Sequence, residues 1–429
     1  MNSSAALPFS ETSFALTLGL LLLAPLAIAG VALMNAGLGR SRSAAQSLLG
    51  NLVVIATAVI AFAVVGWAFA AGTPSDHVFH ASGKPWNWVG AGHLFLNGLD
   101  TEQPHVQLTL LFELLSVALA VLIPWGSGAD RLRLPAGAAI AAVFGAVLFP
   151  LVAHWTWGGG WLAQLGTNFS LGSGVLDGAG AAPVHALGGL CALAVVWIAG
   201  PRKGKFPREG LSTAMPGHNV VYVLFGCLVT LVGWLAWNMA GSLLWLNAPP
   251  SALVATAVNT VLSASAALVA TFSVTRVRFG KPDASLCANG WLAGLVTSSS
   301  CAGIVSPPAS ILAGLVAGVV TPLLVESFEL ALSIDDPSGA ITVHGAAGIW
   351  GLAVAGIFAP RPGQFVAQLI AISTLLGAML PLVYLIFYLM NRVLAFRVDP
   401  DGERLGMDLH ELGGNAYPEF VVHRDESYR

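Results

Sequence analysis

Charged side chains are scarce in this sequence. Asp, Glu, Lys and Arg together make up 9% of its 429 residues, against about 25% in soluble domains, whereas 56% of the residues are hydrophobic. The formal net charge is only −3 and no long basic run is present, so the composition argues against nucleic acid as a partner. The 49 glycines fit helices whose backbones pack closely in lipid. The sequence therefore predicts an all-α polytopic membrane protein.

Cysteine is also scarce, and its four positions are scattered. Cys191, Cys227, Cys287 and Cys301 fall mostly in apolar stretches, as small core residues do, and their spacing predicts neither a disulfide framework nor a metal site. No nucleophile set, metal-ligand set or phosphate loop is present. No enzymatic activity and no cofactor are therefore predicted.

Apolar stretches of about 20 residues, the length that crosses a bilayer as a helix, occur eleven times. They lie at 13–36, 45–71, 107–126, 134–155, 178–199, 219–243, 251–275, 286–302, 306–326, 341–359 and 366–391, the eighth being the weakest. Residues 1–12 contain no Lys or Arg and so lack the basic start of a signal peptide; we expect the first stretch to be a retained helix. The predicted domains are a membrane domain over 1–391 and a polar cytoplasmic tail over 392–429.

The basic residues predict the orientation, because Lys and Arg collect in short cytoplasmic loops. With eleven helices and the N-terminus outside, all 18 Lys and Arg residues except Lys84 and Arg361 fall in inside loops or in the C-terminal tail. The inside loop before the tenth helix has no basic residue. The C-terminus is therefore predicted to be cytoplasmic.

One short sequence motif occurs twice, 159 residues apart. Val184-His185-Ala186 in the fifth stretch is similar to Val343-His344-Gly345 in the tenth. Asp177 and Asp336 each precede the histidine of their copy by eight residues. Ionisable side chains at membrane depth are costly and usually mark a substrate or proton path. Five helices per copy means that the second copy enters the membrane upside down. The pattern thus predicts a five-plus-five inverted repeat that brings both histidines near the midplane, with the eleventh helix outside the repeat.

Five motifs resemble the ammonium transporter family (Amt/Mep/Rh) in family order, and the tail and the tryptophan motif favour its Amt branch. The motifs are Trp157-Gly158-Gly159-Gly160, Gly174-Val175-Leu176-Asp177 with His185, Asn289-Gly290-Trp291-Leu292-Ala293-Gly294, Asp335-Asp336-Pro337 with His344, and the tail segment Gly406-Met407-Asp408-Leu409-His410-Glu411. The resemblance covers almost the whole chain.

The resemblance implies a substrate site and a pore. Trp157 would offer its ring face to the cation, Ser242 would accept a hydrogen bond from it, and Asp177 would support the site from behind. His185 and His344 would line the pore as a pair, with at least one ring neutral. Read without the family, Trp157 is equally an interfacial tryptophan, and Asp177 caps the fifth helix.

The gate departs from the family pattern of two stacked phenylalanines. Phe112 begins the segment that corresponds to F-Q-x-x-F, Glu113 replaces a neutral glutamine, and Ser116 stands where the first gate phenylalanine is expected. The second gate segment is one residue longer than in the family, so Trp237 or Asn238 takes the gate position, and its helix must rotate or carry a π-bulge. We hypothesise that Trp237 alone closes the pore.

The sequence thus predicts an ammonium transporter or channel of the cell membrane, multi-pass, in the inner membrane if the host is Gram-negative. Resemblance implies a homotrimer and a PII-type regulatory protein on the cytoplasmic face. Two alternatives remain. A sensor of the same fold is favoured by the altered gate, although the tail 392–429 is too short for a kinase or cyclase; a bis-histidine haem protein would use His185 and His344 as axial ligands.

Overall fold

The computed structural model describes residues 10–71, 78–100, 102–207, 209 and 212–417. Within these residues the chain is mostly helical, as predicted, and eleven helices contain 18 residues or more. They are α1 (Glu11–Leu38), α2 (Ser41–Ala70), α3 (Pro104–Ser127), α4 (Leu134–Thr156), α5 (Ala181–Ala199), α6 (Val220–Trp245), α7 (Pro250–Phe279), α8 (Ala284–Cys301), α9 (Pro307–Leu332), α10 (Ile341–Phe358) and α11 (Gln364–Val393). Three of the basic residues that predict the orientation lie outside the described residues: Arg208, Arg424 and Arg429.

Ten of these helices are long and apolar enough to cross a membrane, counted over the described residues. The eleventh is α8, Ala284–Cys301, which is not among those ten and corresponds to the weakest predicted stretch. Eleven membrane crossings therefore stay a prediction. The predicted boundaries are close to the observed ones, and the largest difference is at the end of α9, which continues from the predicted residue 326 to Leu332.

Smaller elements lie between and after the long helices. Strands β1 (Val78–Ala81) and β2 (Lys84–Asn87) form an antiparallel hairpin between α2 and α3, with Phe79 opposite Trp86. This hairpin is the exception to the all-α prediction. Short helices cover Leu165–Phe169, before α5, and Pro400–Leu405, in the tail.

The contacts between helices in the first half recur in the second half between the helices numbered five higher. Helix α2 contacts α3 and α4, as α7 contacts α8 and α9; α3 contacts α5, as α8 contacts α10. Helix α1 packs along α6 through glycines: a Cβ on Gly233 would lie 2.0 Å from the Ala27 nitrogen. Helix α11 packs on α5 and α10. The close approaches explain the high glycine content, because a side chain at such positions would force the helices apart.

The tail packs against the ends of α2 and α4. Asp408 accepts hydrogen bonds from the Ala45 and Gln46 nitrogens (3.2 and 2.7 Å), and Glu411 accepts one from the Leu134 nitrogen (2.9 Å). Carboxylates at helix N-termini satisfy otherwise unpaired N–H groups and suit the helix dipole. The acidic residues of the tail motif therefore serve as caps supplied from a distant part of the chain.

A buried ion-pair network joins the loops on the same face, which we call the tail face. Arg202 contacts Asp130 (3.0 Å) and Asp335 (2.9 Å), and Arg40 contacts Asp130 (3.2 Å). Burial alone would raise the pKa of Asp335, but the Arg131 and Arg202 guanidiniums hold it at about 2. The first Asp of the Asp335-Asp336-Pro337 motif thus has a structural role.

Candidate functional site

Two buried histidines touch where α5 and α10 cross. The Nδ1 atoms of His185 and His344 lie 3.2 Å apart, and the rings stack with centroids 5.3 Å apart and planes inclined by 22°. The side chains are 0% and 4% exposed. The helices cross backbone to backbone at this level, because a Cβ on Gly189 would lie only 2.3 Å from the Gly345 Cα. The structure therefore brings together the two residues that the sequence repeat singled out.

The contact between the rings constrains their protons. A hydrogen bond between two Nδ1 atoms needs one N–H donor and one free lone pair. The accepting ring is therefore neutral, and a proton can pass between the two nitrogens along the bond. Such a pair can accept a hydrogen bond from a small donor or relay a proton.

Each histidine lies in a π-helical turn that an aspartate caps. The turns are Ala181–Ala186 and Ile341–Ala346. Asp177 accepts hydrogen bonds from the Gly180, Ala181 and Ala182 nitrogens (2.9, 2.8 and 2.7 Å), and Asp336 accepts one from the Ile341 nitrogen (2.8 Å). Burial raises the pKa of Asp177 to about 6 against the effect of these N–H groups. The contacts of Asp177 agree with the capping interpretation, and Asp336 caps the second π-helical turn in the same way.

His185 also has neighbours that the sequence did not indicate. Its ring stacks on Trp234 of α6, with centroids 5.1 Å apart and planes inclined by 12°. Ser299 of α8 places its Oγ 3.4 Å from His185 Nε2 and accepts a hydrogen bond from Trp234 Nε1 at 2.9 Å. Four different helices therefore hold the histidine pair.

An aromatic cluster lies beyond the histidines, toward the face opposite the tail. Phe112 contacts Trp237, Trp157 and Trp245, with ring centroids 5.2, 5.4 and 6.0 Å apart, and Trp157 stacks on Trp245 at 5.0 Å with nearly parallel planes. Along α6, Trp245 lies about 12 Å from Trp237 and Trp237 about 4.5 Å from Trp234, at 1.5 Å per residue. The α6 tryptophans thus run from the cluster to His185.

Two predicted gate residues differ in what they contact. Trp237 faces Phe112 and donates its Nε1 hydrogen to the Ala179 carbonyl (3.1 Å), whereas Asn238 donates to Thr260 and Ser298 between helices. Ser116 is buried and donates to the Phe112 carbonyl at 2.8 Å. Helix α6 is α-helical throughout Val220–Trp245, so no π-bulge takes up the extra residue. Of the two alternatives, Trp237 is the one that contacts Phe112, and its role as a gate stays a prediction.

The predicted substrate residues lie at different places around the cluster. Trp157 donates its Nε1 hydrogen to the Asp177 carbonyl at 2.8 Å, which joins the ring to the start of α5. Ser242 is buried, and a Cβ on Gly303 would lie 2.7 Å from its hydroxyl oxygen. Trp245, one turn after Ser242, was missed by the sequence reasoning, although the spacing of three residues after a predicted substrate residue was a signal for it.

Cavities flank the histidine pair on both sides. One of about 500 Å3, which we call the aromatic cavity, is lined by Trp157, Trp245, Glu113 and Thr109 among others. On the tail face a cavity of about 370 Å3 is lined by Leu38, Asn289, Asp335 and Asp336 among others. A third, small cavity of about 10 Å3 is bordered by both His344 and Leu38. Its volume is at the lower limit for one water molecule.

Comparison with known proteins identifies the group to which this arrangement belongs. Residues 14–417 match the Ammonium Transporter Family. The chain belongs to this family. As an ammonium transporter family member with ten helices that can cross a membrane over its described residues, it is a multi-pass membrane protein and not an enzyme.

Relatives of this ammonium transporter family member include two proteins named Amt2. It is 34% identical to the ammonium transporter Amt2 of Archaeoglobus fulgidus, over 93% of this chain and 86% of that protein. It is 30% identical to Amt2 of Haloferax mediterranei, over 91% and 87%.

Solved structures with the same fold include a protein named as a sensor. That structure, Sensor Amt Protein, has a TM-score of 0.84 and 26% identity and covers 93% of this chain and 98% of its own. Mep2 of Candida albicans has a TM-score of 0.77 and 23% identity, over 96% and 91%; at that identity the likeness concerns the fold alone.

Proposed function

We propose that this family member moves ammonium or ammonia across the membrane. The cation is recruited in the aromatic cavity, releases its proton to water near the aromatic cluster, and passes as ammonia along a path lined by His185 and His344. The observation that carries this proposal is a hydrogen-bonded pair of buried imidazoles between two cavities on opposite faces.

Free energies favour moving the neutral base through the buried part of the path. With the lysine amine as a proxy for ammonium, deprotonation at pH 7 costs about 4–5 kcal/mol. Taking a dehydrated ion through an apolar interior costs several kcal/mol at least, with an idealised limit of order 20 kcal/mol. Selectivity against potassium then comes from proton donation, which ammonium can perform and potassium cannot.

Recruitment uses aromatic surface and the residues behind it. Trp157 and Trp245 both line the aromatic cavity, where cation-π attraction contributes about 0.5–2 kcal/mol. Ser242 accepts a hydrogen bond from the arriving cation, and Asp177 orients Trp157 through its carbonyl. Ammonia then passes Trp237, which closes the path where its ring contacts Phe112. Ser116 leaves room where the first gate phenylalanine of the family would stand.

The membrane arrangement proposed is eleven crossings in a five-plus-five inverted repeat. The packing pairs that recur after five helices, and the matching π-turns and aspartate caps at His185 and His344, support it. Loops that carry Arg40, Arg131 and Lys203 contact the tail on one face. With the positive-inside rule, that face is cytoplasmic and the N-terminus is outside.

The family resemblance supports a proposal for assembly and regulation. We propose a homotrimer in the cell membrane, the inner membrane in a Gram-negative host, and a PII-type protein on the tail face. Co-purification with PII, with and without 2-oxoglutarate, tests the regulator, and absence of PII under both conditions would count against it.

A sensor is the second candidate function. It is favoured by the likeness to the Sensor Amt Protein structure and by the departure from two gate phenylalanines. A haem protein is disfavoured, because the two imidazoles contact each other directly and leave no room for a macrocycle between their rings.

Growth rescue separates transporter from sensor. An ammonium-uptake-deficient strain at low ammonium and mildly acidic pH, where free ammonia is scarce, would carry the native chain, His185→Ala or Asp177→Ala, each checked for membrane insertion. We expect rescue by the native chain and loss with both variants. No rescue by a well-folded native chain would reject transport and favour the sensor.

A further inference from the structure

A buried carboxyl oxygen that accepts no hydrogen bond from the described residues lines the aromatic cavity. Glu113 lies in the third turn of α3 and is 3% exposed, and its Oε2 has no hydrogen-bond partner among the described residues. A buried carboxylate without a partner is strongly unfavourable unless a cation or donor reaches it. Among the described residues, none donates a hydrogen bond to this oxygen, which is therefore open to a cation or donor that enters the cavity.

A second acceptor lies one helical turn away. Thr109 lines the same cavity, and its hydroxyl oxygen also has no partner among the described residues. The other carboxylate of the cavity, Asp100, is used locally, because it accepts hydrogen bonds from the Glu102 nitrogen (3.0 Å) and Gln103 Nε2 (2.6 Å). Glu113 and Thr109 thus form a pair of unused oxygens on one face of α3.

Aromatic rings stand beside these oxygens. Trp157 and Trp245 line the cavity with Glu113 and stack on each other at 5.0 Å. Phe112, the residue before Glu113, contacts both indoles. Aromatic faces attract a cation but form no hydrogen bonds to several N–H groups at once, whereas oxygens do both.

We propose that Glu113 is a cation ligand of the aromatic cavity, with Thr109 as a further acceptor and the Trp157–Trp245 stack as its wall. The site takes ammonium or a small primary ammonium ion such as methylammonium. The inference rests on the proposed function for the identity of the cation. A neutral glutamine at this position would offer a donor as well as an acceptor and would not neutralise the cation.

The carboxylate changes how the path operates. The cation must leave Glu113 before it reaches the Phe112–Trp237 pair, because only ammonia continues from there. Stronger binding at Glu113 therefore lowers the ammonium concentration at which the site is half-saturated. It also slows the departure of the cation from the site. A charged hydrogen bond of this kind is equivalent to about a tenfold change in affinity or more.

Binding of methylammonium by the purified full chain in lipid nanodiscs tests the proposal. Tryptophan fluorescence would follow the titration at constant ionic strength for the native chain, Glu113→Gln and Glu113→Asp. We expect about tenfold weaker binding for Glu113→Gln and less weakening for Glu113→Asp, which keeps the charge. Unchanged affinity in Glu113→Gln would overturn the proposal, and if that variant does not fold, equal affinity of Glu113→Asp and Thr109→Ala to the native chain would do so.

Glu102→Gln is the matched control. Glu102 is an exposed carboxylate just before α3 that does not line the cavity, so its substitution changes the net charge alone. Equal weakening in Glu102→Gln and Glu113→Gln would overturn the site in favour of a general surface-charge effect. Unchanged binding in Glu102→Gln would support the site.

Uptake of labelled methylammonium into vesicles separates this inference from the proposed function. Binding that depends on Glu113 without uptake by the native chain would support the carboxylate site and reject transport. Uptake by the native chain with the same half-saturation in Glu113→Gln would support transport and reject the carboxylate site.

Discussion

The crossing of α5 and α10 offers a test of how tightly the histidine contact depends on backbone packing. A Cβ at Gly189 would lie 2.3 Å from the Gly345 Cα and nitrogen, whereas a Cβ at Gly345 would lie 3.4 Å from the Gly189 Cα. The same two glycines thus offer one forbidden and one tolerated alanine substitution in one interface. Backbone atoms cannot rotate away, so the helices themselves must move in Gly189→Ala.

The size of the movement follows from these distances. A Cβ at Gly345 would lie 3.4 Å from its nearest neighbour, an ordinary van der Waals distance. To lengthen the contact of a Cβ at Gly189 from 2.3 Å to this distance, the helices must separate by about 1.1 Å. A shift of that size passed to the rings would lengthen the 3.2 Å contact between His185 and His344 beyond hydrogen-bonding range. Overpacking of this kind costs about 1–3 kcal/mol in stability.

Uptake of labelled methylammonium measures the effect of the lengthened histidine contact, and thermal unfolding in detergent measures the loss of stability. We expect Gly189→Ala to lose most of its uptake and to unfold at a lower temperature. Gly345→Ala should remain close to the native chain in both measurements. Equal behaviour of the two variants would refute the argument that backbone contact at this crossing holds the histidine pair.

Two further predictions concern the aromatic cluster and the tail face. Trp237→Ala should let water and ions pass the cluster and so lower the selectivity for methylammonium over potassium, measured as uptake of labelled methylammonium into vesicles and as potassium current in planar bilayers; unchanged uptake and no new potassium current would mean that Trp237 does not close the path. Because the Asp335 pKa is held at about 2, below its ordinary value of 3.8, the stability from its ion pairs is present above about pH 4 and is lost as the pH falls toward 2. The loss is about 2 kcal/mol, visible as a falling unfolding temperature over that range, and Asp335→Asn should flatten this dependence; an unchanged slope in that variant would contradict it.

The long helices could be predicted because the bilayer sets their length. A stretch of about 20 apolar residues has few other stable structures in lipid, so boundaries such as those of α4 and α10 were predicted within one residue. Helix α8 was the weakest prediction because it carries polar residues, among them Asn289 and Ser299, that are buried inside the protein and lower the apolar character of the stretch. The β1–β2 hairpin was missed because four-residue strands carry little periodic signal.

The site was predictable where it repeats and unpredictable where it does not. The repeated motif around His185 and His344, with an aspartate eight residues before each histidine, could be recognised in the sequence because both copies need the same local cap and turn. No pattern linked Trp234 or Ser299 to His185, since these contacts join helices that are distant in sequence.

The sequence by itself determined the membrane class of the protein, its helix positions, its family and the two histidines of the proposed pore. These depend on composition, apolar length and local motifs, which each segment carries without its neighbours. Only the tertiary structure decided that Trp237 rather than Asn238 faces Phe112, that Trp245 stacks on Trp157, and that Asp408 and Glu411 cap α2 and α4. Those contacts depend on the rotation and approach of whole helices, which close glycine crossings such as Gly189 on Gly345 set when the chain packs.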